Sequence, residues 1–275
     1  MTTLLDTLTK GAQYLEKKGV DSPRLTMELL VAHVMKMQRM QLYLEFDRPL
    51  EEEELESLRG LLKQRGERVP LQHLIGSVEF YGREFKSDAR ALIPRPETEE
   101  LVEYVLKLDL PESPRILDLC CGTGVIGLTL QAELGDEAQV TLSDVSEEAL
   151  SLARENADAL GLSVEFVHSD LFQSLSGEYD LIVSNPPYVS TEVELEPELS
   201  HDPALALFSG ADGLDLIRHL VPQSFERLSS GGVLALEVGY DQGGALQHLM
   251  EQAGFTDVRV ESDMSQIERF PIGKK

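Results

Sequence analysis

The sequence predicts a two-part α/β protein: an N-terminal helical bundle followed by a doubly wound parallel sheet. Three observations carry that prediction. The first seventy residues place apolar side chains at helical spacing with no strand pattern, the chain after residue 114 alternates short apolar strands with helices, and a glycine-rich turn joins the first of those strands to its helix. A length of 275 residues also suits two domains, at about 150 residues each. The divisions drawn are residues 1–75 for the bundle, 76–95 for a β-hairpin and hinge, and 96–275 for the α/β domain.

In the bundle, Leu5, Leu8, Ala12 and Leu15 mark one helix, Leu25, Leu29 and Ala32 a second, and Leu55, Leu58 and Leu62 a third. The third opens on Glu51, Glu52, Glu53 and Glu54, which suit the positive end of a helix dipole or simply a solvated face. Around residues 76–93 the period changes, and Phe80 and Phe85 flank a Tyr81-Gly82 pair that fits a hairpin. Pro94 and Pro96 then hold the chain extended ahead of a helix containing Leu101, Val102 and Val105.

Strands are expected at residues 115–119, 139–143, 164–167, 180–184 and 233–238. Between them, Ser146 can cap a helix with Glu147 and Glu148 in its first turn, a stripe of Leu150, Ala153, Ala157 and Leu160, and Gly161 as its stop. Residues 214–228 read as a helix that Pro222 should break or kink.

Composition excludes several function classes. The 24 Lys and Arg against 49 Asp and Glu leave a formal charge of −25, which disfavours direct nucleic-acid binding through clustered cations. The two cysteines, Cys120 and Cys121, are adjacent and staple no loop, so the chain reads as cytoplasmic. No stretch of about 18 apolar residues marks a membrane span, residues 1–20 carry no signal-peptide pattern, and nothing demands more than a monomer.

The first strand runs into Asp118-Leu119-Cys120-Cys121-Gly122-Thr123-Gly124 and then directly into a helix, an arrangement that aims backbone N–H groups at a ligand. Gly122, Gly124 and Gly127 spell the dinucleotide fingerprint, and Asp144 ends the second strand where a ribose-binding acid belongs, so a nicotinamide or flavin reading stays open. A third acid, Asp170, follows the third strand. Acids at three successive strand ends resemble class I S-adenosylmethionine-dependent methyltransferases. That resemblance implies that Asp118 supports the loop near the amino acid end of the cofactor, Asp144 binds the ribose hydroxyls and Asp170 faces the adenine amino group. Such loops usually begin with glycine where this chain has Cys120. A positive φ would strain Cys120, so either the loop differs locally or a glycine is not conformationally required there. Two adjacent thiols with no nearby His or Cys make a poor ligand set, and no metal is expected.

Asn185-Pro186-Pro187-Tyr188 follows the apolar strand at 180–184. The prolines end the strand and fix their own φ, leaving the Pro186 carbonyl free to accept a hydrogen bond beside the Asn185 side-chain oxygen, with Tyr188 adding a flat face. A planar amide or exocyclic amine is a poor nucleophile because its lone pair is delocalised. Two oxygens that grip its N–H groups would aim the nitrogen at a methyl donor and help it give up charge.

With these motifs together the chain resembles the HemK family of peptide chain release factor glutamine methyltransferases. The match runs through Pro70 to Gly76, Leu92 to Glu99, the glycine loop, Asn185 to Tyr188, Glu237-Val238-Gly239 with Gln242, and Asp263 with Arg269. The resemblance implies S-adenosyl-L-methionine as methyl donor and release factors 1 and 2 as protein substrates, docked by the helical bundle. It places cofactor contacts on Cys120, Cys121, Gly122, Thr123, Gly124, Asp144, Asp170, Leu171 and Asn185. The substrate glutamine falls on Asn185, Pro186, Pro187 and Tyr188, with Asn185 and Pro186 catalytic. Departures from the family pattern are Cys120-Cys121, where Gly-Thr is usual, and Gln266, where glycine is common. The same Asn-Pro-Pro-Tyr motif serves DNA adenine methyltransferases, which the charge disfavours, and ribosomal protein glutamine methyltransferases, whose pattern differs at Pro94 to Glu99. A noncatalytic docking protein is a further alternative.

Overall fold

The computed structural model describes residues 2–275. Its chain divides into two compact units, one running up to Ser77 together with Leu195–His201, the other comprising Val78–Glu194 and Asp202–Lys275.

The first unit is helical: α1 (Leu4–Lys17), α2 (Pro23–Met35), a short 3-10 helix (Arg39–Leu44), α3 (Glu52–Gly66) and α4 (Leu71–Ile75). Thr3 caps α1, its hydroxyl accepting from the Asp6 amide at 3.2 Å. The buried face of α1 is Leu4, Leu8, Gly11 and Leu15, whereas Leu5 is exposed. The expected stripe was displaced because Gly11 counts as no apolar residue, yet its missing side chain is what admits α2: a Cβ there would lie 2.3 Å from Met27 Sδ. In α2 the core residues are Met27, Leu30 and Val31, and Leu25 faces solvent. The buried Glu28 between them is held by Arg24 at 2.8 Å, Arg39 at 3.1 Å and the Tyr43 hydroxyl at 2.9 Å. Of the acidic run, Glu54 has a structural task, accepting the Glu51 amide and Arg48 Nη2, both at 2.9 Å.

In the hairpin, β1 (Ser77–Phe80) and β2 (Arg83–Lys86) turn through Tyr81 at φ 49° and Gly82 at φ 70°, a pair of left-handed residues whose twist matches the strands. Phe80 and Phe85 pack edge to face with centroids 6.0 Å apart, buried in the core of the second unit. After it come α5 (Pro96–Leu106), β3 (Arg115–Leu119), α6 (Val125–Leu134), β4 (Gln139–Asp144), α7 (Glu147–Leu160), β5 (Glu165–His168), β6 (Tyr179–Ser184), α8 (Asp215–Arg227), β7 (Leu228–Leu236), α9 (Gly243–Ala253), β8 (Thr256–Ser262) and β9 (Glu268–Lys274).

Seven strands form one sheet in the order β5-β4-β3-β6-β7-β9-β8. The five expected strands are present and parallel, but β9 runs antiparallel between β7 and β8, so the sheet is mixed rather than wholly parallel. The sequence hides these last two strands because β8 alternates apolar with charged residues at the sheet's edge and β9 carries Pro271. Ser146 caps α7 through the Ala149 amide at 3.2 Å, and Gly161 closes it at φ 67°. Helix α8 continues through Pro222 instead of breaking. Burial of Ile217, Leu220, Val221 and Ser224 on its inner face outweighs the backbone bond that the proline lacks.

Candidate functional site

The carboxyl ends of β3, β4, β5 and β6 share one edge of the sheet, and strand order reverses between β3 and β6, which is where open α/β sheets bind ligands. A cavity of about 580 Å³ lies there. Of the residues singled out from sequence, Cys120, Gly122, Asp144, Asp170, Leu171, Asn185 and Pro187 line it. Cys121, Thr123, Gly124, Pro186 and Tyr188 stand outside that lining, and the first four of these are buried.

The turn after β3 is built on left-handed backbone: Cys120 at φ 60°, Gly122 at 53° and Gly124 at 80°. The left-handed backbone is therefore required here, contrary to expectation, and is borne by a cysteine at a strain of about 1–2 kcal/mol. Gly124 is needed for space as well, since a Cβ there would meet Leu142 Cδ2 at 2.8 Å. The Cys121 amide donates to the Ser143 carbonyl at 3.0 Å, and the Gly124 amide to the Cys121 carbonyl at 2.8 Å. Burial pushes both thiols up, away from the thiolate a nucleophile or metal ligand would need. Gln266, the other departure, likewise sits at positive φ, 63°.

The three acids are placed differently. Asp118 is fully buried and accepts the Gly127 amide at 2.8 Å, so it braces the first turn of α6. Burial raises its carboxyl to about 7. Asp144 accepts the Gly122 amide through one oxygen and the Ser146 amide through the other, both at 2.9 Å. Burial outweighs these bonds and raises its pKa. Asp170 is exposed and accepts from Gln173 at 2.8 Å, and Leu171 beside it is left-handed at φ 47°.

Behind Asn185 runs a chain of contacts. Its amide nitrogen donates to Thr98 Oγ1 at 3.2 Å, and the Thr98 hydroxyl donates to Glu237 Oε2 at 2.7 Å. Asn185 Oδ1 is buried with no hydrogen-bond partner among the described residues. Glu237 is 1% exposed, and burial raises its carboxyl to about 7. The Gln242 side chain accepts from the Gly239 amide at 2.9 Å and donates to the Tyr188 carbonyl at 3.0 Å, clamping the end of the motif.

Thr98, Glu237 and Gln242 fall within stretches that match the family, but the sequence reading gives them no role, because pairings across so many residues leave no local signal. It missed Asn156 altogether. This buried side chain on α7 bonds the Lys86 amide at 2.7 Å and the Thr123 carbonyl at 3.0 Å, joining hairpin to glycine turn. Also unforeseen is the far wall of Pro203, Leu205, Phe208, Asp215 and His219.

The lining favours a cationic ligand. Asp144, Asp170 and Asp215 face the cavity, whereas the one arginine in its lining, Arg90, is held by Asp88 at 2.8 Å and Glu155 at 2.7 Å. A pyrophosphate would meet these carboxylates and would find the Gly122 amide already given to Asp144. The dinucleotide reading therefore fits poorly, and a sulfonium-bearing ligand fits well.

Comparison with known proteins agrees. A family model described as the PrmC N-terminal domain matches residues 6–76, and the methyltransferase small domain matches residues 98–202. The release factor glutamine methyltransferase of Deinococcus radiodurans is 43% identical over 270 residues, 97% of this chain and 96% of that protein. Among solved structures, a methyltransferase from Pyrococcus furiosus matches with a TM-score of 0.55 at 17% identity, over 71% of this chain and 90% of that one. The T. thermophilus 16S rRNA N2 G1207 methyltransferase, solved with AdoMet and guanosine, matches with a TM-score of 0.52 at 22% identity, over 72% and 49%. The α/β unit has the class I methyltransferase fold.

Proposed function

The chain belongs to the release factor glutamine methyltransferase family, and from that premise we propose that it transfers a methyl group from S-adenosyl-L-methionine to the side-chain amide nitrogen of the glutamine in the Gly-Gly-Gln motif of peptide chain release factors 1 and 2. The observation that carries the chemistry is Asn185, whose nitrogen is committed to Thr98 while its oxygen is buried without a partner among the described residues. A buried acceptor left open costs free energy until a donor arrives. An amide NH2 supplies that donor.

Asn185 Oδ1 takes one N–H of the substrate glutamine and the Pro186 carbonyl takes the other, with Pro187 and Tyr188 bounding the plane of the amide. Held this way, the nitrogen is oriented toward the donor, the two acceptors stabilise the positive charge it develops, and as the N–C bond forms one of its two N–H protons leaves along its hydrogen bond to solvent. Positioning supplies the catalysis, and no thiolate or hydroxyl nucleophile takes part. Bound S-adenosylmethionine supplies an electrophilic methyl on a sulfonium. Cys120 to Gly124 would hold its amino acid end and Asp144 its ribose hydroxyls, through lone pairs left over from its two backbone bonds. Asp170 and Leu171 would hold its adenine. The helical unit docks the release factor, and the enzyme works as a cytoplasmic monomer. Among the described residues no helix is long and apolar enough to cross a membrane.

The test is incubation with methyl-labelled cofactor and unmodified release factor, beside a release factor whose motif Gln is changed to Ala, and plain duplex DNA. Label in the first alone supports the assignment. Label in DNA alone rejects it.

A further inference from the structure

An amide can stand either way round in nearly the same space, with oxygen and nitrogen exchanged, and only its hydrogen-bond partners decide which. The chemistry above needs the Asn185 oxygen toward the substrate; the reverse orientation would present a donor to a donor. We infer that Thr98 and Glu237 are positioning residues that fix the orientation of the Asn185 amide, an inference that rests on the proposed activity.

The argument is a count of protons. Thr98 has one hydroxyl proton and lone pairs. Glu237, 1% exposed, is purely an acceptor in its ionised form, and in that form it takes the Thr98 proton across 2.7 Å. With its proton spent, Thr98 Oγ1 can only accept along its second contact, the 3.2 Å one to Asn185. The group presented there must be the NH2. Asn185 Oδ1 is then left on the other side, where it has no partner among the described residues. All three side chains come from different segments: Thr98 from the first turn of α5, Asn185 from the end of β6, and Glu237 from just after β7. Their order is thus a property of the fold, and each is rigidly based. The Asn185 side chain, Tyr188, Glu97 and Arg269 also face the Glu237 carboxyl, the Asn185 hydrogen bond and Arg269 favouring its charged form and Glu97 opposing it.

The experiment compares Thr98→Val, which keeps the shape and removes the hydroxyl, with Thr98→Ser, which restores it, measuring kcat on release factor and cofactor affinity by calorimetry. Thr98→Val is expected to lose about 10- to 100-fold in kcat while binding cofactor as before, and Thr98→Ser to recover most of the rate. Glu237→Gln, able to donate as well as accept, should fall between them. Equal kcat for Thr98→Val and the unaltered enzyme overturns the inference, as does a Ser variant no better than Val. If the unaltered enzyme fails to methylate release factor, the activity itself is misassigned, a result distinct from either.

Discussion

The buried carboxyl of Asp118 accepts the Gly127 amide at 2.8 Å, tying β3 to the first turn of α6, while its other oxygen has no partner among the described residues. Burial raises this group from 3.8 to about 7, so the folded state holds its proton more tightly than the unfolded chain does. Its contribution to stability is then full below the lower value and lost as pH rises through the upper one. Glu237, raised from 4.5 to about 7, acts in the same sense. Asp118→Asn keeps an acceptor for Gly127 and removes the titration. Urea unfolding at several pH values between those limits should show a flatter profile in the variant. An unchanged slope would mean that Asp118 does not titrate there.

Asp144 and Asn185 line the same cavity and should fail differently when truncated. Asp144→Ala is expected to weaken cofactor binding by about 10- to 100-fold, the worth of a charge-assisted hydrogen bond. Asn185→Ala should lower turnover with cofactor affinity nearly intact. Calorimetry and single-turnover kinetics separate the two. Normal cofactor binding by the Asp144 variant would remove it from the ribose site.

Gly124 combines φ 80° with a 2.8 Å approach to Leu142 for any added Cβ. Gly124→Ala should therefore cost about 1–3 kcal/mol and impair cofactor binding. Cys120→Gly, at φ 60°, relieves strain in the folded state at the expense of a freer unfolded chain, and should leave the melting temperature almost unchanged. A large loss in the Cys120 variant would show that the thiol's packing matters more than its backbone.

Pro222 lies on the exposed face of α8 and leaves one carbonyl of the preceding turn without its helical partner. Pro222→Ala restores the donor, and should stabilise the fold by about 1 kcal/mol, a rise of roughly 2–4 °C in Tm. A lower Tm would indicate that the proline's restriction of the unfolded chain is the larger effect.

How much of this was legible beforehand follows the range of each interaction. Strands β3, β4 and β6 announce themselves as apolar runs because both sheet faces are covered, and Ser146 and Gly161 mark the ends of α7 by local capping alone. The cavity-facing acids could be placed because they sit at strand ends. What escaped notice depends on distant partners. Gly11 acquires meaning only against Met27, Asn156 only against Lys86 and Thr123, and Thr98 only once Glu237 and Asn185 lie on either side of it. Strand β9 escaped because its proline and charges mask a segment whose burial is decided by β7 and β8.

Arg65, 5% exposed at its side chain, meets Glu198 at 2.8 Å, and the stretch holding that acid, Leu195–His201, groups with the helical unit although the sequence on both sides of it groups with the other. No single cut can therefore separate the halves cleanly. A fragment beginning after Ser77 would carry away the helical unit's counter-ion, and the complementary fragment would keep a buried guanidinium stripped of it. Separate expression of the helical half calls for grafting the acid-bearing segment back, not merely for choosing a better terminus.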